Sequence, residues 1–505
     1  MSPPVLALPE YLALKSKSNG KYLRYVRDDP NARAVLQFSG DELVSTSVKF
    51  QSNAVSLPVD DGRPTTAYHL RCCYNNKYWQ KAGQAESYIS AGETPDEDTS
   101  KWSCTLFKPE FDHHQGTVRL VHVQSGGYLG RGNSQPPPAA TGPDCLVVGL
   151  PAAAAEVCEV VNYSEAVVML PKLVAFKGDN GKYLKAVSID PVVNTRFPIY
   201  NLPTFRAIQF SGNEIYDRSV AHEVVMNPVD GTVRIKSVSH DGTGGGRFWR
   251  RNEVEGNWIF WDSRDPTFKN KDTVFRVHRL HPSEPQYGLT NCGSDLPCKR
   301  YNGSTFQQCL RASGTDVEPY NKLWVEEPVL WRRMYDGDFR TEDARFYPLE
   351  PPKVDTEIYR NETPNPSKVG RKFGKTVSHT TSWTNSYGWK VGGKVEITTD
   401  FKGIPFLKEG KLEISSEYSE EKTEGASEER GESSEIASEV TVSPMKQLRI
   451  TTTKTKTACD VPFDYSYTEK LYDGTATDYR VQDGLFTTTT TVVEVASKEE
   501  DLQQD

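Results

Sequence analysis

The chain has 505 residues, of which 36% are hydrophobic and 25% charged, and its formal net charge at pH 7 is −8. This composition predicts a folded protein of about three domains and excludes an intrinsically disordered chain. The acidic balance argues against nucleic acid as a partner, because phosphate binding needs a basic surface. The sequence has no run of about 18 apolar residues, so no transmembrane helix is predicted. The N-terminal segment carries no basic and apolar leader, so we expect a cytoplasmic or nucleocytoplasmic location.

The first two thirds of the sequence contain an internal repeat. Four short motifs recur: Asn19–Leu23 as Asn180–Leu184, Gln37–Gly40 as Gln209–Gly212, Lys77–Trp79 as Arg247–Trp249, and Cys104–Phe107 as Asp272–Phe275. The copies lie roughly 160–170 residues apart, which indicates a duplicated module with loop insertions. We therefore expect two related domains at 1–155 and 165–332 and an unrelated domain at 335–505. The stretch 152–160 between the first two is expected to be a linker.

Each duplicated module consists of short β-rich runs separated by Asn-Gly, Asp-Gly and Ser-Gly turns. A finer repeat places a turn and an aromatic residue about every 50 residues, at Asn19–Leu23, Asn76–Trp79 and Gly126–Leu129. Three such units are what a β-trefoil requires. The predicted fold class is all-β, with two tandem β-trefoil domains followed by an elongated, twisted β-sheet domain.

Nine cysteines lack the spacing of a disulfide framework or of a zinc site, and we expect reduced thiols, with a Cys292–Cys298 pair as the oxidised alternative. No metal or cofactor is predicted.

Several motifs resemble the amaranthin-like lectins: the two Asn-Gly-Lys-Tyr-Leu and Gln-Phe-Ser-Gly copies, the acidic stretch Glu93–Asp98 and the segment Trp102–Phe107. That family has two tandem β-trefoil agglutinin modules and includes proteins that bind galactose–N-acetylgalactosamine disaccharides. In amaranthin the sugar lies between the first module of one subunit and the second module of its partner, so the resemblance implies a homo-oligomer. The stretch Gln84–Tyr88, which matches the family's sugar-contacting segment, keeps only one aromatic residue.

Sugar recognition needs an aromatic platform for the C–H face of the ring and fixed polar groups for its hydroxyls. The candidate carbohydrate-binding residues are Asn75, Asn76, Tyr78, Trp79, Gln84, Glu86, Ser87, Tyr88, Asn257, Trp258 and Asp262. Tyr78 and Trp79, with Phe248 and Trp249 of the second copy, belong to the duplicated motif and have a core position as the alternative interpretation.

The third module is rich in Thr, Ser and Glu, with runs at Thr451–Thr457 and Thr487–Thr491 that favour long polar strands. Within it, residues 410–442 alternate apolar and polar on both sides of a Gly-containing turn, which predicts a hairpin. The membrane-insertion candidates are Leu412, Ile414 and Tyr418 on one arm and Ile436, Val440 and Val442 on the other.

The order of a strand at Val391–Phe401, Gly403–Phe406, the alternating insertion, Ser443–Lys446 and Val461–Phe463 resembles the aerolysin-type pore-forming module. The resemblance implies a defence-type protein that docks on glycans, oligomerises and inserts a β-hairpin into a membrane. Residues 420–435 are dominated by glutamate, which opposes insertion. A solvated acidic hairpin in a module that makes no pore is therefore the alternative.

No nucleophile elbow, zinc-protease motif or phosphate-binding loop is present, so catalysis is not expected. We expect a lectin for galactose- or N-acetylgalactosamine-type glycans. The alternative is a scaffold that binds a protein partner.

Overall fold

The computed structural model describes residues 7–27, 34–60, 63–112, 114–132, 143–190, 204–238, 246–281, 284–314, 319–385, 396–401, 403–408, 411–415 and 428–502. These residues form three successive β-sheet modules, and the predicted all-β class with two trefoils and a long twisted sheet is confirmed. Among them, no helix has the length and apolar character needed to cross a membrane.

The first module forms a twelve-stranded sheet system. Its strands are Tyr11–Ser16 (β1), Tyr22–Tyr25 (β2), Leu36–Gly40 (β3), Phe50–Asp60 (β4), Arg63–Cys72 (β5), Tyr78–Lys81 (β6), Ile89–Gly92 (β7), Leu106–Asp112 (β8), Thr117–His122 (β9), Tyr128–Arg131 (β10), Leu146–Leu150 (β11) and Cys158–Asn162 (β12). A 3₁₀ turn at Ala152–Ala154 precedes β12.

Three turns of this module share one geometry, which is the structural form of the repeat seen in the sequence. In each turn a backbone N–H donates to the carbonyl of the residue five positions later. The N–H of Ser16 bonds the Lys21 carbonyl at 2.9 Å, that of Cys72 the Lys77 carbonyl at 2.9 Å, and that of His122 the Gly127 carbonyl at 3.0 Å. The residue before each acceptor has positive φ: 73° at Gly20, 58° at Asn76 and 64° at Gly126. Glycine and asparagine tolerate this left-handed conformation best. The strand that follows then sends its second residue (Leu23, Trp79 or Leu129) into the core.

The stretch predicted as a linker belongs to the first trefoil. Strand β12 pairs antiparallel with β1, from Leu12↔Asn162 to Ser16↔Cys158, and also with β9. The proline before this stretch, Pro151, favoured a linker. The prediction was wrong because the partners of β12 are strands that lie far from it in the sequence. The connection to the second module is the single helical turn Tyr163–Ala166 (α1).

The second module repeats the plan in another twelve-stranded system. Its strands are Leu173–Lys177 (β13), Tyr183–Ile189 (β14), Phe205–Gly212 (β15), His222–Met226 (β16), Val233–Ser237 (β17), Arg247–Asn252 (β18), Trp258–Ser263 (β19), Phe275–Arg279 (β20), Gln286–Asn291 (β21), Leu296–Tyr301 (β22), Cys309–Ala312 (β23) and Leu323–Glu326 (β24). Short 3₁₀ turns lie at Arg218–Val220, Lys271–Thr273 and Pro319–Asn321.

Trp79 and Trp249, the tryptophans of the duplicated motif, occupy equivalent core positions and are 1% and 0% exposed. Trp79 packs edge-on against Phe50 and Phe107, with ring centroids 5.0 and 5.8 Å away. All nine cysteines are free thiols, and burial is the main cause that raises the pKa of Cys72, Cys158 and Cys298.

The strands of the third module are Val329–Phe339 (β25), Arg345–Asn361 (β26), Ser367–Asn385 (β27), Glu396–Asp400 (β28), Ile404–Lys408 (β29), Lys411–Ser415 (β30), Glu428–Val442 (β31), Lys446–Leu471 (β32) and Ala476–Asp501 (β33), with a 3₁₀ turn at Thr341–Asp343. The strands β29 and β30 form a two-stranded sheet, and the other seven form one long sheet with the order β28-β25-β32-β33-β27-β31, in which β26 also pairs with β32. At about 3.3 Å per residue, the 26 residues of β32 extend roughly 85 Å. This sheet begins at Val329, inside the segment predicted for the second domain.

The two arms of the predicted hairpin do not pair with each other. Strand β31 pairs antiparallel with β27, from Ser367↔Val442 to Thr381↔Glu428. Strand β30 instead pairs with β29, from Ile404↔Ser415 to Lys408↔Lys411. The prediction of a 410–442 hairpin was wrong because alternation identifies which residues are in strands, but it does not identify the partner strand.

The apolar residues of these arms are covered unequally. Val442 is buried with Leu448 and Ile450, and Val440 packs at the edge of the same cluster. Leu412 packs partly against a cluster around Leu407 and Val461. Ile414, by contrast, is 55% exposed. Ile436 opposes Phe373 in the β27–β31 register, and Tyr418 lies outside the described residues.

A buried histidine connects the strands of the second trefoil. His222 is 0% exposed, its Nε2 lies 3.1 Å from the Leu184 carbonyl, and its Nδ1 lies 3.2 Å from Ser237 Oγ. Ser237 Oγ also accepts a 3.0 Å hydrogen bond from Trp249 Nε1. Burial lowers the pKa of His222 from 6.5 to about 4, so the ring is neutral in the folded module.

Acid should therefore destabilise the fold. Between pH 6.5 and 4 the unfolded chain binds a proton at His222 that the folded chain does not, so stability falls as the pH drops, by up to about 3 kcal/mol. We expect the thermal unfolding temperature to fall more between pH 7 and pH 4.5 in the wild type than in His222→Gln. His114→Gln, a change at an exposed histidine, is the control and should keep the wild-type slope. Equal slopes in all three proteins would contradict this account.

Candidate carbohydrate-binding face

The predicted sugar-binding turn of the first trefoil lies against the third module. Asn75 is 0% exposed, and its Oδ1 accepts a 3.1 Å hydrogen bond from the Lys77 backbone. Asn76 Nδ2 donates to Asp460 Oδ2 of β32 at 3.1 Å. The guanidinium of Arg345, at the start of β26, lies 5.2 Å from the centre of the Tyr78 ring.

Asp343 forms the centre of this contact. Its side chain is 2% exposed and accepts hydrogen bonds from Tyr25 Oη at 2.8 Å and Tyr74 Oη at 3.1 Å, both from the first trefoil. Burial, followed by the neighbouring carboxylate, raises the pKa of both tyrosines. Both hydroxyls therefore remain protonated donors at any physiological pH.

Arg345 and Asp460 extend the contact. Arg345 Nε donates to the Glu93 carbonyl at 2.7 Å, and its Nη1 lies 3.6 Å from Asp460 Oδ2. Asp460 Oδ1 accepts from Thr487 Oγ1 at 2.8 Å. We call Tyr25, Tyr74, Asn76, Asp343, Arg345 and Asp460 the stem junction. It occupies the surface on which Asn75, Asn76 and Tyr78 were predicted to bind sugar, and Trp79 lies beneath it in the core.

The remaining first-module candidates form the connection between β6 and β7. Gln84 and Ser87 are exposed, and the Gln84 carbonyl accepts from Lys81 Nζ at 3.1 Å. Glu86 and Tyr88 are half-buried, and Tyr88 packs against Val26, Val35 and Cys145. Tyr88 therefore leaves only part of its ring open to a ligand.

In the second trefoil Trp258 is 7% exposed. Its ring centroid lies 5.0 Å from that of Phe306 and 6.0 Å from that of Tyr301. The indole is thus the floor of a small aromatic cluster and offers little surface to a ligand. Asp262 binds Arg250 through two hydrogen bonds of 2.9 and 2.6 Å.

An exposed aromatic residue lies above this floor. Tyr301 is 39% exposed, and the Arg311 guanidinium lies 4.7 Å from its ring centre and 5.4 Å from that of Trp258. Arg311 Nε donates to the Gly256 carbonyl at 2.8 Å, and Asn257 Oδ1 accepts from Arg251 Nη1 at 2.6 Å. We call Asn257, Trp258, Tyr301 and Arg311 the Tyr301 face. It combines a platform with polar groups that are already held in place.

Two segments of the chain, residues 6–137 and 168–284, match the Agglutinin domain family. The chain carries two Agglutinin domains. The first match lies within the first trefoil and the second within the trefoil that bears the Tyr301 face. No curated protein matches the chain in sequence.

Several solved structures are similar to parts of the chain. A mosquitocidal holotoxin is 11% identical with a TM-score of 0.27, and the match covers 66% of this chain and 36% of the holotoxin, about a third of its length. The hemolytic lectin CEL-III is 9% identical with a TM-score of 0.27, covering 97% of this chain and 93% of CEL-III. An aerolysin-like protein from Bombina maxima is 15% identical with a TM-score of 0.21, and the match covers 34% of this chain and 99% of that protein. At these TM-scores none of the three carries weight for function.

Of the four residues of the Tyr301 face, Asn257 and Trp258 were candidates from the sequence, whereas Tyr301 and Arg311 were not. Tyr301 is followed by Asn302 and Gly303, so an aromatic residue beside an Asn-Gly turn was a visible signal. Arg311 carried no comparable signal, because only the pairing of Trp258 with Arg311 across β19 and β23 brings it to the face.

The stem junction yields a stability prediction. Asp343→Ala leaves the buried hydroxyls of Tyr25 and Tyr74 without their acceptor, and each unsatisfied group costs about 1–3 kcal/mol. We expect a lower thermal unfolding temperature and faster proteolysis near residues 326–345 in this variant. Asp355→Ala, at an exposed carboxylate of β26, should behave like the wild type. An unchanged unfolding temperature in Asp343→Ala would contradict the assigned role.

Proposed function

We propose that the protein is a lectin that binds galactose- or N-acetylgalactosamine-type glycans through the Tyr301 face of its second trefoil. The observation that carries the proposal is the 39% exposed ring of Tyr301 above the buried Trp258, with Arg311 and Asn257 fixed beside it. A sugar stacks its C–H face on such a ring, and pre-oriented donors and acceptors bind its hydroxyls at little cost in side-chain entropy.

The second domain supports this function better than the first. The stem junction occupies the Asn75–Tyr78 turn of the first domain, where Asn76 is bonded to Asp460. Among the described residues of the second trefoil, Tyr216, Tyr301 and Tyr320 are 55%, 39% and 47% exposed. We propose binding without catalysis, since Asn257 and Arg311 are engaged in fixed structural hydrogen bonds suited to recognition.

Substitutions at the Tyr301 face separate stacking from folding. Tyr301→Ala should weaken glycan affinity about tenfold or more, and Tyr301→Phe should retain most of it because the platform remains. Trp258→Ala should lower stability by about 3–5 kcal/mol, since this ring is buried. Glycan arrays and calorimetry measure binding, and thermal unfolding measures stability.

Tyr320→Ala, at a comparably exposed tyrosine outside the face, is the matched control and should bind like the wild type. An unchanged number of binding sites and an unchanged affinity in Tyr301→Ala would place the site elsewhere. Capture of a protein partner that competing sugars do not displace, together with an empty glycan array, would favour the scaffold alternative.

We also propose that the third module oligomerises on glycan-bearing membranes and inserts a hairpin there, with arms that differ from the sequence prediction. The support is the register of β27 and β31, two neighbouring antiparallel strands joined by the excursion 382–427. If the pairing of β27 with β31 continued beyond Thr381↔Glu428 through the excursion, the two arms would meet in a turn centred between Ile404 and Pro405. The Gly403–Phe406 segment would then be the tip.

The sequence of the excursion fits this register. On one arm Trp389, Val391, Val395, Ile397 and Phe401 alternate with polar residues, and on the other Phe406, Leu412, Ile414 and Tyr418 do so. In the continued register Ile397 opposes Leu412, Val395 opposes Ile414 and Val391 opposes Tyr418. Opposed residues share one face of a hairpin, so both arms contribute to a single apolar face, which Lys408 opposite Phe401 interrupts at the end next to the tip.

Length and charge agree with this hairpin. Arms 391–401 and 408–418 have the roughly 9–11 residues that a tilted strand needs to cross the hydrocarbon core. The glutamate-rich stretch that opposed insertion of the 410–442 hairpin falls outside these arms, and its second half lies within β31. The opposite face carries two lysines and five carboxylates, which predicts a lumen that prefers cations: Lys394, Lys411, Glu396, Asp400, Glu409, Glu413 and Glu417.

Formation of this hairpin requires a change of register that a disulfide can block. Phe406 opposes Glu413 in the resting β29–β30 pair, but it would oppose Gly403 in the inserted form. Opposed Cα atoms in antiparallel strands lie within disulfide range. Phe406→Cys with Glu413→Cys should abolish dye leakage from glycan-bearing vesicles when oxidised, and reduction should restore it.

The control pair is Val369→Cys with Val440→Cys, which are opposed in β27 and β31 and would remain opposed after insertion. Oxidation of this pair should leave leakage unchanged. Inhibition by the control pair would exclude the continued register. Binding of the wild type to vesicles without leakage or SDS-resistant oligomers would refute pore formation and leave glycan binding intact.

A further inference from the structure

A second aromatic site lies where the second trefoil meets the tip of the β32–β33 hairpin. Tyr216, between β15 and β16, is 55% exposed, and Tyr472, in the hairpin turn, is 40% exposed. Their ring centroids are 5.1 Å apart in an edge-to-face arrangement. Together with Asp217, Arg218 and Asp473 they border a cleft that we call the Tyr216 cleft.

The floor of the cleft is apolar and fixed. Ala221 and Leu471 are 2% and 6% exposed, and Leu471 packs with Leu173 and Val329 where the two modules meet. Because this floor belongs to a packed cluster, the walls keep their spacing without a ligand.

The polar rim is held equally firmly. Asp217 accepts hydrogen bonds from the Ser219 backbone at 2.9 Å and from Lys185 Nζ at 2.8 Å. Asp473 accepts from the Thr475 backbone at 2.8 Å and lies 3.2 Å from Arg218 Nη1. These carboxylates retain lone pairs for hydroxyl donors while their orientations are already set.

We propose that the Tyr216 cleft is a second saccharide site, which takes one or two sugar units and contacts both the Agglutinin domain and the third module. This inference rests on the proposed glycan binding. Exposed aromatic faces beside charged groups suit the C–H face and the hydroxyls of a sugar. A stable protein partner would need about 800 Å² per side, far more than these few residues present, so a small polar ligand is the occupant.

The position of the cleft has a further consequence. One wall is trefoil and the other is the turn at Tyr472, so a bound sugar contacts both modules simultaneously. Its affinity depends on their relative placement, and by reciprocity its binding stabilises that placement. The second saccharide site therefore links glycan occupancy to the hairpin from which the long sheet is built.

Calorimetric stoichiometry with a galactose–N-acetylgalactosamine disaccharide tests the inference. We expect two sites per wild-type chain, one in Tyr216→Ala, one in Tyr472→Ala and two in Tyr472→Phe, which keeps the ring. Tyr301→Ala should also retain one binding site, the Tyr216 cleft. Thermal unfolding checks that the variants are folded, and their exposed side chains should leave it near the wild-type value.

Hydrogen exchange locates the site independently. The disaccharide should slow amide exchange in residues 471–475 of the wild type and of Tyr301→Ala, but not in Tyr216→Ala. One site per wild-type chain, removed by Tyr301→Ala and unaffected by Tyr216→Ala and Tyr472→Ala, would overturn the second site alone. No binding to the wild type would overturn both this site and the proposed lectin function.

Discussion

The antiparallel pairing of β32 with β33 is the constraint on which the rest of the molecule depends. It runs from Lys446↔Asp501 to Lys470↔Ala476, and its outer edges carry β25 and β26 on one side and β27 on the other. Because one ladder sets the register of all these strands, it also fixes where each trefoil attaches. Asp460 meets the first trefoil and the Tyr472 turn meets the second.

The two attachments differ in their physical chemistry. The first is a buried polar network in which Asp343 accepts from two tyrosines. The second combines the apolar cluster of Leu173, Val329 and Leu471 with the Arg218–Asp473 ion pair. Hydrogen bonds to one buried carboxylate specify a single geometry and lose much when it changes, whereas the second attachment is fixed by the close packing of apolar side chains. The second attachment leaves Tyr216 and Tyr472 partly in solvent.

The resting arrangement of the excursion is also explained by register. Its central part is held as the β29–β30 hairpin under β33, where Thr490 Oγ1 donates to the Leu407 carbonyl at 3.0 Å. Ile404, which would lie in the tip of the proposed inserted hairpin, is 4% exposed there, and the neighbouring Leu407 is 2% exposed. The period-two pattern of the excursion is compatible with both the observed pairing and the proposed one.

The sequence by itself determined the strand content, the duplication and the threefold turns. These features are local, since a positive-φ turn at Gly20, Asn76 or Gly126 and an alternating strand follow from neighbouring residues. Only the tertiary structure decided that β12 closes the first trefoil, that β31 pairs with β27, and that Arg311 reaches Tyr301. It also placed Asn76 against Asp460 and Trp258 beneath Tyr301. Partners distant in the chain are chosen by packing, and a periodic pattern in one strand carries no information about which other strand completes it.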